Sequence, residues 1–283
     1  MFAIINKFYK NSKSALFQDI LDFYDKNWYV IVNYLYGANM VKQDLSGEGS
    51  IVKTNTWSYN FKQILIDSDF LLPDGAAIRT MRKVWKLFWR FDWPPMMPNL
   101  NGTDFLPYFI DRLISSVWLD RVFIHYLTVY DYKVWNEKWH LLHACKSYIQ
   151  KRFWLHLDHI NWYEIEYSDK NYKDRSWWGS ISSKSYDHWS YHLFLNFRGT
   201  PHQEIRSYLN KDFIKKNRLL VFDQWGTVDF RVGKESRAPL IIRKLRLESI
   251  WRLVQYPQKN WKKFIISFKM IWLIIKKIIF IHK

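Results

Sequence analysis

The chain has 283 residues and a formal net charge of +17, because 43 lysines and arginines outnumber 26 aspartates and glutamates. Aromatic residues make up 19% of the sequence, which excludes a disordered basic tail, and the single cysteine, Cys145, excludes a disulfide framework and a thiol-rich metal site. No apolar run reaches about 18 residues and the start, MFAIINKFYKNSKS, lacks a secretory cleavage pattern, so we expect a cytoplasmic protein without a spanning helix.

Helical and strand-like segments alternate along the first half of the chain. The first 50 residues are predicted to be helical, and residues 51–54 are predicted to form a strand. The segment FKQILIDSDFLLPDG then predicts a helix followed by a short apolar run that stops at Pro73-Asp74-Gly75. Another helix is expected at 78–90, and the proline-rich WPPMMPNLNGTD at 93–104 predicts a loop.

The second half of the chain continues the alternation. Residues 121–130 (RVFIHYLTVY) indicate a buried strand, and the apolar residues that follow recur at helical spacing, at positions 135, 139, 142, 145, 149 and 153. Further strands are predicted near 154–167, 191–197 and 218–225, with a polar loop at 168–190. This alternation predicts an α/β, Rossmann-like fold with a largely parallel sheet flanked by helices.

The stretch RGTPHQE at 198–204 joins one of these strands to the next helix. Gly199 suits a tight turn, Thr200 an N-cap and Pro201 the first helical position, and Gln203 completes a capping-box pattern. In an open α/β sheet, ligands bind at the carboxyl ends of strands, where the free N–H groups of a helix N-terminus bind anions such as a diphosphate. Gln203 is therefore either a ligand contact or only a helix cap.

Four segments of the chain occur in a characteristic order. They are LLPDGAAI (71–78), NGTDF (101–105), FRGTPHQE (197–204) and GTVDFRVGKESRAP (226–239), the last running into LRLESIWRLVQYP (245–257). Over roughly residues 51–257, they resemble the motifs of the WecG/TagA/CpsF family of bacterial glycosyltransferases, glycosyltransferase family 26. The closing segment is the specific part of the resemblance, since a tripeptide such as Pro-Asp-Gly is common.

The resemblance implies an inverting, metal-independent hexosyltransferase that needs no cofactor. It implies transfer of an N-acetylated hexosamine or its uronic acid (ManNAc, ManNAcA or a similar sugar) from a UDP-sugar donor. The implied acceptor is a monosaccharide linked to polyprenyl diphosphate at the cytoplasmic face of the cell membrane. Such disaccharides begin teichoic acid, enterobacterial common antigen or capsule.

The resemblance assigns Asp74, within Pro-Asp-Gly, as the general base that takes the acceptor hydroxyl proton. A carboxylate can do so when it lies within hydrogen-bond reach and is partly desolvated. Pro-Asp-Gly is also ordinary turn chemistry, so a turn role stays open. The positions that match the donor side of the family's site are Thr54, Asn55, Gly199 and Gln203.

Charged positions of the resemblance complete the expected substrate-binding residues. Arg237 and Arg252 match closing arginines that could hold a lipid diphosphate, because a guanidinium presents paired donors to phosphate oxygens. Asp104 and Asp229 match acidic positions that could equally anchor loops. Asn99 stands where the family usually carries an arginine, which leaves open a catalytically inactive, family-derived binding protein of a polysaccharide-assembly complex.

Two groups of residues resemble metal sites. Asp67 and Asp69 form an Asp-x-Asp pair, and His140, His143 and Cys145 suggest a soft metal site. Two acids at this spacing are common by chance, and no second ligand cluster accompanies the histidines. The sequence therefore predicts no metal site.

The tail at 259–283 is expected to be a membrane-associating appendage to a catalytic domain at 1–258. On a helix, its lysines at 262, 263, 269, 276, 277 and 283 fall within about half the circumference, and Ile, Phe and Trp fill the rest. Such a helix lies in the interface of an anionic membrane, so we expect peripheral binding to the inner face of the cell membrane. The alternative is a helix packed on the domain with its lysines in solvent.

Charge and aromatic content also fit a basic nucleic-acid-binding protein. That alternative requires arginines interleaved with aromatics on an exposed sheet face or groove, whereas the basic excess lies toward the apolar C-terminal helix. The expected partners are therefore the UDP-sugar, the lipid-linked acceptor and an anionic membrane surface, with no nucleic acid and with a homo-oligomer left open.

Overall fold

The computed structural model describes residues 7–9, 11–36, 39, 50–53, 58–74, 100, 102–130, 147–166, 189–197, 201–224, 236–244, 247–258, 260–262, 264–266, 269 and 272, called the described residues below. Their strands are β1 (Val30–Tyr36), β2 (Ile51–Lys53), β3 (Ser58–Asn60), β4 (Phe70–Asp74), β5 (Val122–Tyr130), β6 (Ile160–Glu166), β7 (Tyr191–Phe197) and β8 (Leu219–Asp223). Their helices are α1 (Lys13–Asn27), α2 (Phe61–Ile66), α3 (Gly102–Ser116), α4 (His202–Leu209), α5 (Lys211–Lys216), α6 (Leu240–Lys244) and α7 (Glu248–Gln255). Short 3-10 turns cover Leu119–Arg121 and Leu157–His159, and residues 147–153 are also helical.

Six of the strands form one sheet in the order β4-β1-β8-β7-β5-β6. Every neighbouring pair in it is parallel. Parallel strands need crossover connections, so helices cover the faces of the sheet and the strands are apolar on both sides. The prediction of a Rossmann-like α/β fold with a parallel sheet is confirmed, whereas the C-terminal appendage stays a prediction.

Alternate residues of the strands face two separate cores. On one face, strand residues such as Ile124 and Leu195 pack with Phe105 and Phe109 of α3, and α1 joins the same core. On the other face, Ile31, Phe194, Leu219 and Val221 pack with Ile214 of α5, beside α4. We call these the α3 face and the α4 face. Each side of the sheet is therefore closed by its own helices.

The prediction that the first 50 residues are helical is wrong for residues 30–36. α1 is helical as predicted, and its first turn is capped by Ser12, whose Oγ accepts a hydrogen bond from the backbone N of Ala15 at 3.2 Å. Val30–Tyr36 instead form β1, between β4 and β8. Because β1 is buried on both faces, its apolar residues do not alternate with polar ones, and a short apolar run has no period that separates strand from helix.

The segments around 51–74 form the predicted strand, helix and apolar run, and the structure adds how the strands pair. Residues 51–53 are extended, but they pair antiparallel with β3 in a ribbon outside the main sheet. The apolar run at 70–74 is β4, the outermost strand of the main sheet next to β1. Proline lacks a backbone N–H and is confined to such outer strands, which explains how Pro73 is accommodated.

Several boundaries differ by a few residues. The strand expected at 154–167 begins only at Ile160, because Trp154 ends a helix in a left-handed conformation with φ 58° and a 3-10 turn occupies Leu157–His159. The loop expected to run through Asp104 ends earlier, since α3 begins at Gly102. The strand at 191–197 is confirmed, and the one at 218–225 shortens to 219–223. The helix expected at 78–90 lies outside the described residues.

Candidate active site

The carboxyl ends of the six parallel strands lie at one edge of the sheet, here called the carboxyl edge. Ligands of open α/β sheets bind at this edge. Three neighbouring strands, β1, β8 and β7, carry polar residues near it at paired positions, namely Asn33, Asp223 and Asn196. Paired residues of parallel strands project to the same face, so this row belongs to the α4 face.

On each of these three strands, the side chains that precede the polar residue on the same face are apolar. Two residues earlier on the same three strands, Ile31, Val221 and Phe194 belong to the apolar core of the α4 face. The change from apolar to polar therefore occurs between one residue and the next residue on the same face of the strand, two positions along. The three polar residues nevertheless remain at most 2% exposed, so they are enclosed rather than solvated.

Asp223 is the centre of the hydrogen bonds that join β7, β8 and α4. Asn196 Nδ2 and Ser207 Oγ each donate to Asp223 Oδ1 at 2.9 Å. Asn196 Nδ2 also donates to the backbone oxygen of Gln203 at 3.3 Å. Two positions of α4, one turn apart, are thereby tied to the ends of β7 and β8.

Three ionisable side chains are enclosed here. Glu204 and Arg206 are 1% exposed and Asp223 is fully buried. Burial raises the pKa of Asp223 well above its ordinary value and the charge of Glu204 raises it further, although the hydrogen bonds from Ser207 and Asn196 act in the opposite direction. We call this group the polar cluster: Asn33, Asn196, Gln203, Glu204, Arg206, Ser207 and Asp223.

Gln203 is a buried member of the polar cluster, 2% exposed. Its Nε2 donates to Glu204 Oε1 at 3.1 Å, whereas its Oε1 has no hydrogen-bond partner in the described part of the chain. A capping box would have this oxygen accept from the backbone N–H of Thr200, which lies outside the described residues, so the helix-cap and ligand-contact interpretations both stay open. The helix also begins one residue later than expected, with Pro201 at the N-cap and no side-chain cap bond.

On the α3 face, the N-terminus of α3 meets the end of β8. A Cβ on Gly102 would lie 2.7 Å from Cδ of Gln224, so glycine allows this close approach. Gln224 follows β8 directly and is 3% exposed, which leaves its side chain little room to move. The first turn of α3 therefore lies at the carboxyl edge, across β8 from the polar cluster.

Ion pairs connect α3 to α7 on this face. Arg237 Nη1 donates to Asp104 Oδ1 at 2.6 Å, and Arg237 Nε lies 3.7 Å from Glu248 Oε1. Arg252 Nη2 donates to the same oxygen of Glu248 at 3.2 Å. Burial lowers the pKa of Arg237, but its contacts with Asp104 and Glu248 outweigh burial and raise it overall. The structure thus brings three predicted site residues together, because Arg237 contacts Asp104 directly and shares Glu248 with Arg252.

Asp74, the expected base, is the last residue of β4 and is half-buried. It pairs with Tyr36 of β1, whereas Asp223 pairs with Asn33, three residues earlier in β1. At about 3.3 Å per residue, Asp74 lies about 10 Å farther out along the strand direction, and it is two strands away. Asp74 is therefore at the carboxyl edge but separate from the polar cluster.

The remaining predicted positions lie outside the described residues. They are Thr54, Asn55, Gly199 and Asp229 among the substrate-binding residues, and Asn99, His140, His143 and Cys145 among the others discussed.

The Asp-x-Asp pair has ordinary structural contacts. Asp69 Oδ2 accepts from the backbone N of Ile31 at 2.9 Å, and its Oδ1 lies 3.9 Å from Lys211 Nζ. Asp67 Oδ1 accepts from Gln63 Nε2 at 2.8 Å. Within the described ranges, no three or more His, Cys, Asp or Glu side chains are grouped to hold a metal ion. Within those ranges, too, we find no helix with the length and apolar character needed to cross a membrane.

The family comparison falls on the elements that build this edge. Residues 191–283 match the model of the glycosyl transferase WecG/TagA/CpsF family. The resemblance is confirmed. The WecG/TagA/CpsF match begins at β7 and includes α4, β8, Arg237 and Arg252, and it supports a glycosyltransferase. No curated protein matches the chain.

Sequence reasoning missed most of the polar cluster. A polar residue that ends an apolar strand is a usable signal, and it would have pointed to Asn196 in YHLFLNF and to Asp223 in LLVFD. Arg206 gives no such signal, because arginines on helices are mostly exposed. Glu248 was not singled out either, although it lies four residues before Arg252.

Proposed function

We propose that the chain is an inverting glycosyltransferase that moves an N-acetylhexosamine-type sugar, such as ManNAc or ManNAcA, from a UDP-sugar to a monosaccharide linked to polyprenyl diphosphate. The observation that carries the proposal is that the WecG/TagA/CpsF match coincides with the polar carboxyl edge of β7 and β8. The disaccharide product would begin a cell-surface polysaccharide such as teichoic acid or capsule.

The unpartnered oxygen of Gln203 supports donor binding at this edge. A buried acceptor without a hydrogen bond costs about 1–3 kcal/mol, and a ligand that supplies a donor removes that cost. The uracil N–H and the sugar hydroxyls of a UDP-sugar are such donors. Gln203 Oε1 is both buried and unpartnered among the described residues, so we assign it a donor contact.

Asp74 is assigned the role of general base. In the proposed reaction, the acceptor hydroxyl oxygen bonds to the anomeric carbon while the bond from that carbon to the UDP oxygen breaks, and Asp74 takes the hydroxyl proton. A single displacement of this kind inverts the anomeric centre. The half-buried position of Asp74 at the end of β4 fits a carboxylate that must be both partly desolvated and reachable.

The acceptor diphosphate is assigned to the neighbourhood of Arg237 and Arg252. Arg237 is already paired with Asp104 and Glu248, so a bound diphosphate would share it with these carboxylates. The membrane assignment is supported by the described residues of the tail, which are helical and include Trp261 and Trp272 at 55% and 64% exposure. Exposed tryptophans suit a membrane interface.

The test is product analysis by mass spectrometry with a panel of UDP-sugars and short-chain polyprenyl-diphosphate-linked GlcNAc. With the active donor, Asp74→Asn is expected to lower turnover by about 10²–10⁴, the usual worth of general-base catalysis, with little change in donor affinity. Asp67→Asn is the matched control, because Asp67 is an exposed carboxylate seven residues earlier. No product with any donor would overturn the function, and full turnover in Asp74→Asn would overturn the base.

The membrane assignment has its own test. Deleting residues 259–283 is expected to release the protein from anionic vesicles while turnover on a water-soluble acceptor is retained. High salt alone should release only part of the full chain, because it screens the lysines but not the apolar contacts. A shortened protein that still floats with the vesicles would show that the tail is not the anchor.

A further inference from the structure

Asp223 receives both of its hydrogen bonds on one oxygen. Asn196 and Ser207 both donate to Oδ1, whereas the buried Oδ2 has no partner in the described part of the chain. An ionised carboxylate is charged on both oxygens, and an unpartnered charged oxygen in a fully buried site is costly. A neutral carboxylic acid fits the pattern better, because its carbonyl oxygen can accept two hydrogen bonds and its hydroxyl is a donor.

We propose that Asp223 is a neutral, buried acid that positions the first turn of α4 and thereby orients Gln203 toward the sugar donor. This deepens the function proposed above and rests on it. Asp223 Oδ1 holds Ser207 directly and holds the backbone of Gln203 through the Nδ2 group of Asn196. Because the two contacts are about one helical turn apart, together they fix the rotation of α4 about its axis and its depth on the sheet.

The neighbouring strand carries a candidate acceptor for the Asp223 hydroxyl. Asn33 is paired with Asp223 across β1 and β8, projects to the same face, and has a buried Oδ1 without a partner among the described residues. The neutral acid places a donor on one strand and an acceptor on the next. An ionised Asp223 would instead place acceptor oxygens on both strands with no proton between them.

Glu204 of α4 is the charged side chain that acts on Asp223. Arg206 is a second buried charged residue of the same helix, β1 and β7 present neutral amides, and the charged side chains of α5 are exposed or partly exposed. Burial first and Glu204 second raise the pKa of Asp223. Since the pKa is higher in the folded state than in the unfolded state, the neutral acid stabilises the fold fully below the unfolded pKa, and this contribution is lost as the pH rises through the folded pKa.

Three substitutions separate positioning from general stability. Asp223→Asn keeps an acceptor at Oδ1, puts an N–H donor in place of the hydroxyl and cannot ionise. Asp223→Leu has a similar size but neither group, and Ser207→Ala removes one of the two contacts. The control is Ser68→Ala, which removes another buried hydroxyl, one that donates to the backbone oxygen of Leu65 at 2.6 Å.

The first measurement needs no substrate. Hydrogen exchange of the amides at 203–207 should be faster in Asp223→Leu than in the wild type, intermediate in Ser207→Ala, and unchanged in Asp223→Asn and Ser68→Ala. The second measurement is UDP affinity by titration calorimetry over a range of pH. Affinity should fall about tenfold in Asp223→Leu and about threefold in Ser207→Ala, the effect of hydrogen bonds worth about 0.5–1.5 kcal/mol.

The pH dependence of UDP affinity distinguishes positioning by a neutral Asp223 from a purely structural role, which would leave that affinity independent of pH. Wild-type UDP affinity should weaken as the pH rises through the raised pKa of Asp223, whereas the affinity of Asp223→Asn should not change over the same range. Equal exchange at 203–207 in Asp223→Leu and the wild type, or equally fast exchange in Asp223→Asn and Asp223→Leu, would overturn the positioning role. If Asp223→Leu does not fold, wild-type exchange in Ser207→Ala is the overturning result. Wild-type protein that binds no UDP and forms no product would overturn the glycosyltransferase function, while the exchange result still decides the role of Asp223.

Discussion

The two ends of the same sheet differ in what they bury and what they expose. At the carboxyl edge, ionisable side chains are enclosed, with Glu204 and Arg206 1% exposed. At the opposite end, Trp118, Trp154 and Trp189 are 79%, 83% and 75% exposed, and they precede β5, β6 and β7. This reverses the usual distribution, in which charged groups face water and large aromatics are largely buried. Position relative to the strand ends therefore says more here about burial than residue type does.

Backbone strain also separates the two ends. The described non-glycine residues with positive φ are Trp28, Trp154 and Arg218, at 63°, 58° and 54°. Each follows a helix and precedes a strand, where glycine is the usual residue. The Arg218 guanidinium lies 3.9 Å from the centre of the Trp28 ring, which offsets part of the strain at those two positions. The amino end thus holds large side chains at positions that would suit glycine.

The largest expected effect is at the carboxyl edge. Arg206→Met should lower the free energy of unfolding by about 3 kcal/mol, because Arg206 is 1% exposed and the groups that contact it would lose a charged partner inside an enclosed site. Chemical denaturation at neutral pH measures the loss. The matched control is Arg112→Met on the exposed side of α3, where less than about 1 kcal/mol should be lost. Equal losses in the two variants would remove the distinction between enclosed and exposed charge.

Next in size is the ion-pair group on the α3 face. Arg237→Met should cost about 2 kcal/mol, since it removes the charged hydrogen bond to Asp104 and the ion pair with Glu248 while those carboxylates stay partly buried. Adding Asp104→Asn to this variant should cost much less than Asp104→Asn costs alone, because the two residues share one contact. A double-mutant cycle measures this, and fully additive losses would contradict the pairing.

At the amino end we expect a gain in stability. Trp154→Gly should raise the free energy of unfolding by about 1 kcal/mol, because glycine adopts the left-handed conformation at no steric cost and the indole lost is 83% exposed. Trp154→Ala is the control, since it removes the same ring but keeps the strain. If the alanine variant gains as much as the glycine variant, strain is not the cause.

The smallest effect is predicted for Trp118, which is exposed but has ordinary backbone geometry with φ −64°. Trp118→Ala should change stability by less than about 0.5 kcal/mol, as surface substitutions usually do. Thermal unfolding and product formation should both match the wild type. A large loss of stability would mean that the exposed tryptophans at the amino end support the fold, and the contrast between the two ends would fail.

The parallel sheet could be predicted because most of its strands are apolar runs separated by helical periods. YHLFLNF and LLVFD are short, uniformly apolar and bounded by polar or turn residues, and both are strands within two residues of the expected limits. β1 could not be recognised as a strand within the segment predicted to be helical. VIVNYLY follows α1 closely and shows neither helical nor alternating periodicity. The start of α3 at Gly102 was missed because glycine is needed there to make room for the side chain of Gln224, which is distant in sequence. Local sequence preferences carry no sign of that contact.

Site residues could be predicted where they belong to a sequence motif. Residues that become part of the site only through packing could not. Gln203 and Arg237 were found from segments with family resemblance, and the structure places both at or beside the carboxyl edge. Asp223 and Arg206 became notable only when β8 and α4 were packed together, since their burial depends on neighbours far away in the sequence. A long-range pairing such as Asn33 with Asp223 leaves no local pattern to detect.

The place of β1 between β4 and β8 has a consequence for biosynthesis. Val30 pairs with Leu220, which is 190 residues later in the chain, so one side of β1 stays open until β8 has been synthesised. At about 5–20 residues per second, a ribosome needs on the order of 10–40 seconds to add that much chain. Throughout that interval, the emerging chain presents an apolar strand edge on which unrelated chains can pair, so ribosome-associated chaperones are expected to matter more for its yield than for proteins built from local hairpins.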